Sequence, residues 1–454
     1  MMAAQAAERQ EPSLHHLRDI LALAIPATLA IASEPLLNIA DTAMIGRLGI
    51  EQLAARAIGS ALIGGVYWAF TFLIFGTTTL VGLHHGAGDK SACGETWLHA
   101  LFLGFVGGLG VATVGIVGAP LFYQLMGAEE EVARVGVPYF RLRIASAPFT
   151  FVFFATVGFF RGIQNTRTPL AIAFLINGLN LALDYGLIYG NFGLPALGLK
   201  GAAAAAWISH GVGAALCAGL LFSSRTGPYR PRHWRVQAGR LQPLFQIGRH
   251  LAVRTGALRF SLVFATGSAA RLGAASLSAH EIAFQLLMLS SDVTDGLAVA
   301  GQALASKHIG AGRRDRAYRM GKVLILCGGV AGFCFAATFL LAQEPIIRFF
   351  TSSSEVMLLL SGPLMLLVAV FQPCNGIVFV LDGFLIGVHD TRFLMRAMLI
   401  GALCLFVPIA WLSLHWNWEL MGIWSGVSVL MAWRLVTNLY RFASMKWHAD
   451  ISSR

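Results

Sequence analysis

The chain has 454 residues, of which 56% are hydrophobic and only 12% charged, and its mean hydropathy is +0.68. That charged share is about half the usual one for soluble domains, which excludes a soluble globular enzyme and a disordered chain and leaves an all-α integral membrane protein. The net charge of +11 is then read as Lys and Arg held in cytoplasmic loops, not as a nucleic-acid-binding surface.

A membrane-spanning helix needs roughly 20 mostly apolar residues. Residues 1–16 mix acid, base and His, show no small-residue cleavage site, and are read as a cytoplasmic tail. Twelve helices are predicted near 17–46, 53–82, 93–122, 132–160, 167–190, 198–223, 241–269, 275–303, 318–342, 355–384, 391–414 and 419–443. This gives an N-lobe over 17–224, a basic inter-lobe linker over 225–240, a C-lobe over 241–443 and a C-terminal tail over 444–454. Basic residues concentrate in alternate loops: Arg225, Arg230, Arg232, Arg235 and Arg240 in one, and Lys307, Arg313, Arg314, Arg316, Arg319 and Lys322 in another. The opposite set includes the acidic run Glu129, Glu130 and Glu131, so both termini are expected in the cytoplasm of a multi-pass protein of the plasma (inner) membrane. The six cysteines lie in or beside apolar stretches without metal-ligand spacing and are read as buried packing thiols; no metal site is expected.

The chain repeats itself. A shift of 225 residues lays Gly158, Gly162, Thr166 and Arg167 on Gly383, Gly387, Thr391 and Arg392, and pairs Pro120, Pro138 and Pro148 with Pro345, Pro363 and Pro373. A shift of 224 lays Leu48, Gly49, Leu53 and Ile58 on Leu272, Gly273, Leu277 and Ile282, and Gly86–Gly88 on Gly310–Gly312. Six helices followed by six more make parallel halves, two six-helix lobes related by a pseudo-twofold axis along the membrane normal. Such lobes can rock about a central cavity; a channel without moving parts is the alternative. Gly104 and Gly108 lie four apart, as close helix packing requires.

Ionisable residues inside spans are functional suspects by default. Helix 1, at ~45 Å for residues 17–46, is longer than the ~30 Å hydrocarbon core, and Pro26 gives it a place to bend, as a hinge or as a static kink. Glu34, Asn38 and Asp41 share one face of helix 1, and Asn177, Asn180 and Asp184 share one face of helix 5. Asp41 and Asp184 fall at matched depth and can share a proton; the alternative is that both are solvated helix ends. The repeat places apolar Leu258, Ala265 and Ile409 opposite Glu34, Asp41 and Asp184, so the acids serve the N-lobe alone. In the second half, Arg254 and Asp295 sit at comparable depth and are read as a structural ion pair, with a transport role as the alternative. Asp382 is read as solvated or bonded to the loop that follows it.

At NIADTAMIGRLG (38–49), LSAHEIAFQLL (277–287), DGLAVAGQALASKHIGAG (295–312) and LDGFLIGVHDTR (381–392), the sequence resembles the multidrug and toxic compound extrusion (MATE) family, in its DinF-like branch. The resemblance covers essentially the whole chain. It implies two helix bundles exporting small organic compounds, often cationic, in exchange for protons or sodium ions, with no cofactor and no enzymatic activity. By the same resemblance Asp41 matches the family's coupling acid, Asn180 and Asp184 its polar partners on helix 5, and Pro26 a helix-1 proline linked to bending; Tyr139 is a further member of that network. The sodium-coupled branch often carries an acid in helix 7, and 241–269 has none, which favours proton coupling at the N-lobe while leaving sodium at Asp41 and Asp184 as an alternative. Glu34 departs from the family pattern. The expected mechanism is that Asp41 takes up a proton, bonds to Asn180 and Asp184 rearrange, helix 1 moves at Pro26, and drug leaves.

The other transport reading is a lipid-linked saccharide flippase of the same superfamily, whose diphosphate would call for Arg254 and Arg259. His280 and Glu281 begin a zincin motif, but Phe284 stands where the second His is required, so an intramembrane enzyme is not expected. Two lobes in one chain make a monomer sufficient in the lipid membrane, with no nucleic-acid partner.

Overall fold

The computed structural model describes residues 13–416 and 418–448; most of the predicted N-terminal tail and residues 449–454 of the C-terminal one lie outside the described residues. Twelve helices follow in order: α1 Ser13–Gly46, α2 Ile50–Gly86, α3 Lys90–Leu125, α4 Glu130–Ile144 with Ala147–Gly162, α5 Arg167–Tyr189, α6 Leu199–Leu220, α7 Ala238–Arg271, α8 Ala274–Gly310, α9 Arg314–Leu341, α10 Ser354–Gly387, α11 Thr391–His415 and α12 Glu419–Ala443. Among the described residues ten are long and apolar enough to cross a membrane, and an eleventh is reached when the two pieces of α4, bent by 42°, are taken as one span. The remaining one, α7, is as long but carries Arg240, Arg249, Arg254, Arg259 and Arg271.

These helices form two compact units among the described residues, 29–248 in one and 13–28 with 249–448 in the other. The chain passes from one unit to the other within α1, between Thr28 and Leu29, and within α7, between Gly248 and Arg249. In the first unit the apolar core gathers Trp97, Phe159, Phe160 and Ile176, with a second cluster around Tyr123, Tyr139 and Ile144. The second unit has its own core around Leu286, Leu360, Phe406 and Trp424.

The sequence repeat is present in the backbone. Gly49 and Gly273 both take positive φ (138° and 106°), as do Gly88 and Gly312 (80° and 70°), and even the non-glycine pair Gln164 and His389 does so (66° and 67°). The segments Ala147–Gly162 and Gln372–Gly387 have the same length, and each carries a proline in its first turn, the position where a missing N–H costs no helical bond. Helix contacts repeat as well. A Cβ on Gly104 would meet the Phe151 carbonyl oxygen at 2.7 Å and one on Gly108 would overlap the Pro148 backbone; the matching Gly328 and Gly332 press on Gly376 and on Gln372 and Pro373. Small residues here set the approach of α3 to α4 and of α9 to α10. Gly108→Val is therefore expected to destabilise the fold by about 1–3 kcal/mol of overpacking and so lower the thermal unfolding midpoint, and Gly332→Val to do the same. Gly110→Val, where no atom lies within 4 Å, should leave the melting curve in detergent unchanged.

Three differences from the sequence reading have physical causes. A short helix, Gln343–Phe350, fills the stretch expected as a loop after α9, because Ile346, Ile347 and Phe350 recur at helical spacing and Ile347 is fully buried. The π-turn Leu360–Leu364 interrupts α10 at Pro363, whose missing N–H breaks the regular ladder. The cysteines are not uniformly buried: Cys93 and Cys217 are, whereas Cys334 and Cys404 are exposed on apolar helix faces, where a small hydrophobe suits lipid.

Candidate functional site

In the unit 29–248, α1 and α5 are joined at three levels. Asn177 Nδ2 donates to Ser33 Oγ at 3.0 Å, the Asp41 and Asp184 carboxyls lie within hydrogen-bond reach of each other, and Tyr189 donates its hydroxyl to the Met44 carbonyl at 2.7 Å. The residues involved recur every three to eight positions along both helices, so one face of each is polar and the two faces meet. Asp184 is 1% and Asn180 3% exposed; the solvated-end reading of Asp184 is corrected by this burial, while Asp41 is half-buried. Glu34 and Asn38 lie on the exposed side of α1.

The carboxyl pair is unusual in what it lacks. Among the described residues, neither oxygen of Asp184, nor Oδ1 of Asp41, nor Nδ2 of Asn180 has a hydrogen-bond partner. Two ionised carboxylates cannot donate to each other, and a buried acceptor without a donor costs about 1–3 kcal/mol, more when charged. A single proton held between them turns the contact into a hydrogen bond, as in other carboxyl dyads.

Two arginines that the sequence reading passed over complete the site. Arg56 of α2 reaches Asp41 Oδ2 at 3.9 Å and donates to the Asn38 carbonyl at 3.2 Å. Arg143, at the end of the first piece of α4, acts electrostatically on both acids and donates to Ser146 Oγ at 2.9 Å, which also meets the Tyr67 hydroxyl at 3.2 Å. Tyr139, buried on α4, lies within hydrogen-bond reach of Ser60 and within the field of Asp41, Arg56 and Arg143. His210 of α6 stands in the field of Arg143 and contacts the Ala206 carbonyl at 2.8 Å. Arg56 immediately precedes a charge-free run and Arg143 sits beside the break in α4. An arginine inside a predicted span, as Arg56 is in 53–82 and Arg143 in 132–160, was the signal that could have found them.

Charge arithmetic gives the site its chemistry. With both acids ionised, Asp41, Asp184, Arg56 and Arg143 sum to zero; with one proton bound they sum to +1. At an effective dielectric of 20, a unit charge 4 Å away is worth about 4 kcal/mol. A cation nearby is thus tolerated in the first state and repelled in the second.

The unit containing residues 249–454 holds a different cluster. Asp382 is 5% exposed and accepts from the guanidinium groups of Arg254 on α7 and Arg434 on α12, and from Asn438 Nδ2 at 2.9 Å. The expectation that Asp382 is solvated or tied to its following loop is corrected: its partners are 128, 52 and 56 residues distant and arrive through packing. Arg254 bonds to Asp382, and Asp295 acts on Arg434. Nearby, Arg441 donates to Asp390 at 2.5 Å. Phe70 of α2 is stacked on Phe151 at 4.3 Å.

A model of the MatE family matches residues 26–186 and 258–412, spans that include Pro26, Asp41, Tyr139, Asn180, Asp184 and Asp382. The chain belongs to the MatE family. It is a multi-pass membrane protein of a transporter family. Relatives of MatE sequence include Protein DETOXIFICATION 44, chloroplastic, of Arabidopsis thaliana, 31% identical over 94% of this chain and 82% of that one. A probable multidrug resistance protein NorM of Thermotoga maritima is 25% identical over 95% and 93%, and DNA damage-inducible protein F of Escherichia coli is 26% identical over 91% of each. A MATE crystal structure in the bent conformation superposes with a TM-score of 0.85 at 20% identity, covering 98% of this chain and 99% of that one. A MOP superfamily transporter from Pyrococcus furiosus gives 0.83 at 21%, covering 94% and 96%. Both share the MATE fold of twelve helices. Among the described residues no group of three or more His, Cys, Asp or Glu is arranged to hold a metal ion.

Proposed function

We propose that this MatE protein exports organic, cationic and amphipathic compounds in exchange for protons, with Asp41 and Asp184 as the proton-carrying pair. The observation that carries the reading is the contact between two carboxyls whose buried oxygens have no other donor. A proton fills that gap. A sodium ion fills it less well, because it would enter beside Arg56, 3.9 Å from Asp41, and beside the field of Arg143.

The cycle follows from the charge arithmetic. The doubly ionised pair accepts a cationic compound near it; a proton arriving from outside joins Asp41 to Asp184, leaves the four groups at +1, and expels the compound. Asn180, whose amide Nδ2 is unpartnered, is the donor that follows the carboxyls as they rearrange. Ser33 with Asn177, the exposed Glu34 and Asn38, and Tyr139 form the surrounding network, and Pro26 is the point at which α1 yields. Two lobes, 17–224 and 241–443, joined by the 225–240 linker, alternate access across the inner membrane, with both termini cytoplasmic and one chain sufficient.

The relatives named as multidrug resistance proteins support drug-like cargo. A lipid-linked diphosphate is disfavoured because Arg254, which it would need, is bonded to Asp382. The test is uptake of a fluorescent organic cation into liposomes holding the purified protein, driven by a pH gradient without sodium. Gradient-dependent accumulation is expected. Accumulation that requires a sodium gradient, or none with either ion, overturns proton coupling.

A further inference from the structure

The segment 221–240, LFSSRTGPYRPRHWRVQAGR, contains five arginines and one histidine, no acid, and three large aromatic residues, Phe222, Tyr229 and Trp234. Loop location alone accounts for the charge. It does not account for how the segment is held.

The backbone is fastened along the start of α3. Arg232 N donates to Ser91 Oγ at 3.1 Å and Gln237 N to His99 Nε2 at 3.0 Å, while Arg240 forms an ion pair with the buried Glu95. The Tyr229 carbonyl lies so close to Gly94 that a Cβ there would overlap it, and the Tyr229 ring stands edge-on to Phe159 at 5.7 Å. Between these fastenings the side chains of Arg230, Arg232, His233 and Arg235 are exposed. Trp234, 48% exposed, stacks on Phe222, 66% exposed, with ring centroids 5.6 Å apart and planes 6° from parallel. Arg230 adds a bond to the Phe222 carbonyl at 3.1 Å. Phe222 lies two residues beyond the end of the α6 span at Leu220, which sets the aromatic pair at the depth where a span meets the headgroups.

An ordered platform of three exposed arginines and His233, faced by a single acid, Asp89 at the start of α3 beside Arg232, and carrying an exposed aromatic stack at that depth, matches the chemistry of one surface: apolar at the acyl boundary and anionic just above it. We infer that the 222–235 platform docks anionic phospholipid headgroups of the leaflet it faces, with Trp234 and Phe222 in the interface and Arg230, Arg232 and Arg235 on the phosphates. Arg240 is committed to Glu95 and takes no part.

The full-length protein, reconstituted in phosphatidylcholine vesicles containing either brominated phosphatidylglycerol or an equal amount of brominated phosphatidylcholine, gives the test. The contribution of Trp234 among the ten tryptophans is isolated as the difference between wild type and Trp234→Phe. Brominated phosphatidylglycerol is expected to quench that contribution severalfold more effectively, with the preference shrinking as salt rises. It should vanish in Arg230→Gln/Arg232→Gln/Arg235→Gln and weaken in Arg232→Gln/Arg235→Gln, which keeps the Arg230 bond to Phe222 and so controls for a lost fold. Equal quenching by the two lipids, a preference unchanged in the triple variant, or full displacement by soluble glycerol phosphate overturns the inference; the last would assign the platform to a free phosphate. None of these readouts depends on transport.

Discussion

Asp41→Asn is expected to abolish pH-gradient-driven uptake, by well over tenfold, while leaving the folded protein at least as stable as wild type. The amide keeps the shape of the carboxyl and can donate a permanent hydrogen bond to Asp184, which relieves the unpartnered oxygens without needing a proton. The same step removes the group that must load and unload. Asp184→Asn should behave alike, since a proton shared by two carboxyls belongs to the pair. Drug binding separates coupling from collapse. In wild type, affinity for an organic cation should fall as pH falls, because each bound proton adds a positive charge beside Arg56 and Arg143; in either Asn variant it should be nearly independent of pH. Normal gradient-driven uptake by Asp41→Asn would sink the mechanism. Retained, still pH-dependent drug binding in both variants would move the proton site elsewhere.

Much of this architecture is legible in the sequence, because a membrane forces long apolar helices and an internal repeat can be checked against itself. The shifts of 224 and 225 residues reappear as paired left-handed residues at Gln164 and His389 and as paired close contacts at Gly104 and Gly328. The acids Asp41 and Asp184 stand out for the same reason, since a carboxylate within an apolar run has few bland explanations. What the sequence hides is which distant charge meets which. Arg56 sits near the start of α2 and Arg143 beside the break in α4, and nothing in the sequence says that either reaches the acids of α1 and α5. Asp382 reads as a helix-end residue until α7 and α12 bring it two guanidinium groups. The π-turn at Leu360–Leu364 leaves no periodicity signal either, since a single inserted residue shifts the register without interrupting the apolar run.

The cluster around Asp382 differs from the carboxyl pair in one respect that decides its role. At Asp382 both carboxylate oxygens have donors: Arg254 and Arg434 on Oδ2 and Asn438 on Oδ1, one negative charge facing two positive ones. No vacancy calls for a proton. The repeat points the same way, for Val157 stands opposite Asp382 and Ser209 opposite Arg434, so the halves have placed their buried charges at unrelated positions. Asp382→Asn strips Arg254 and Arg434 of the carboxylate they share, leaving only the more distant field of Asp295 on Arg434, and breaking such a pair costs about 3–5 kcal/mol. A fall of several degrees in the thermal midpoint is expected, with transport per folded molecule close to that of wild type. Asp382→Asn combined with Arg434→Met removes one of the two orphaned arginines and should recover part of the lost stability, with Arg254 still lacking its carboxylate; the double-mutant cycle reports the Asp382–Arg434 coupling. A single variant that melts like wild type yet no longer transports would assign Asp382 to the transport cycle and break the division of labour between the two halves.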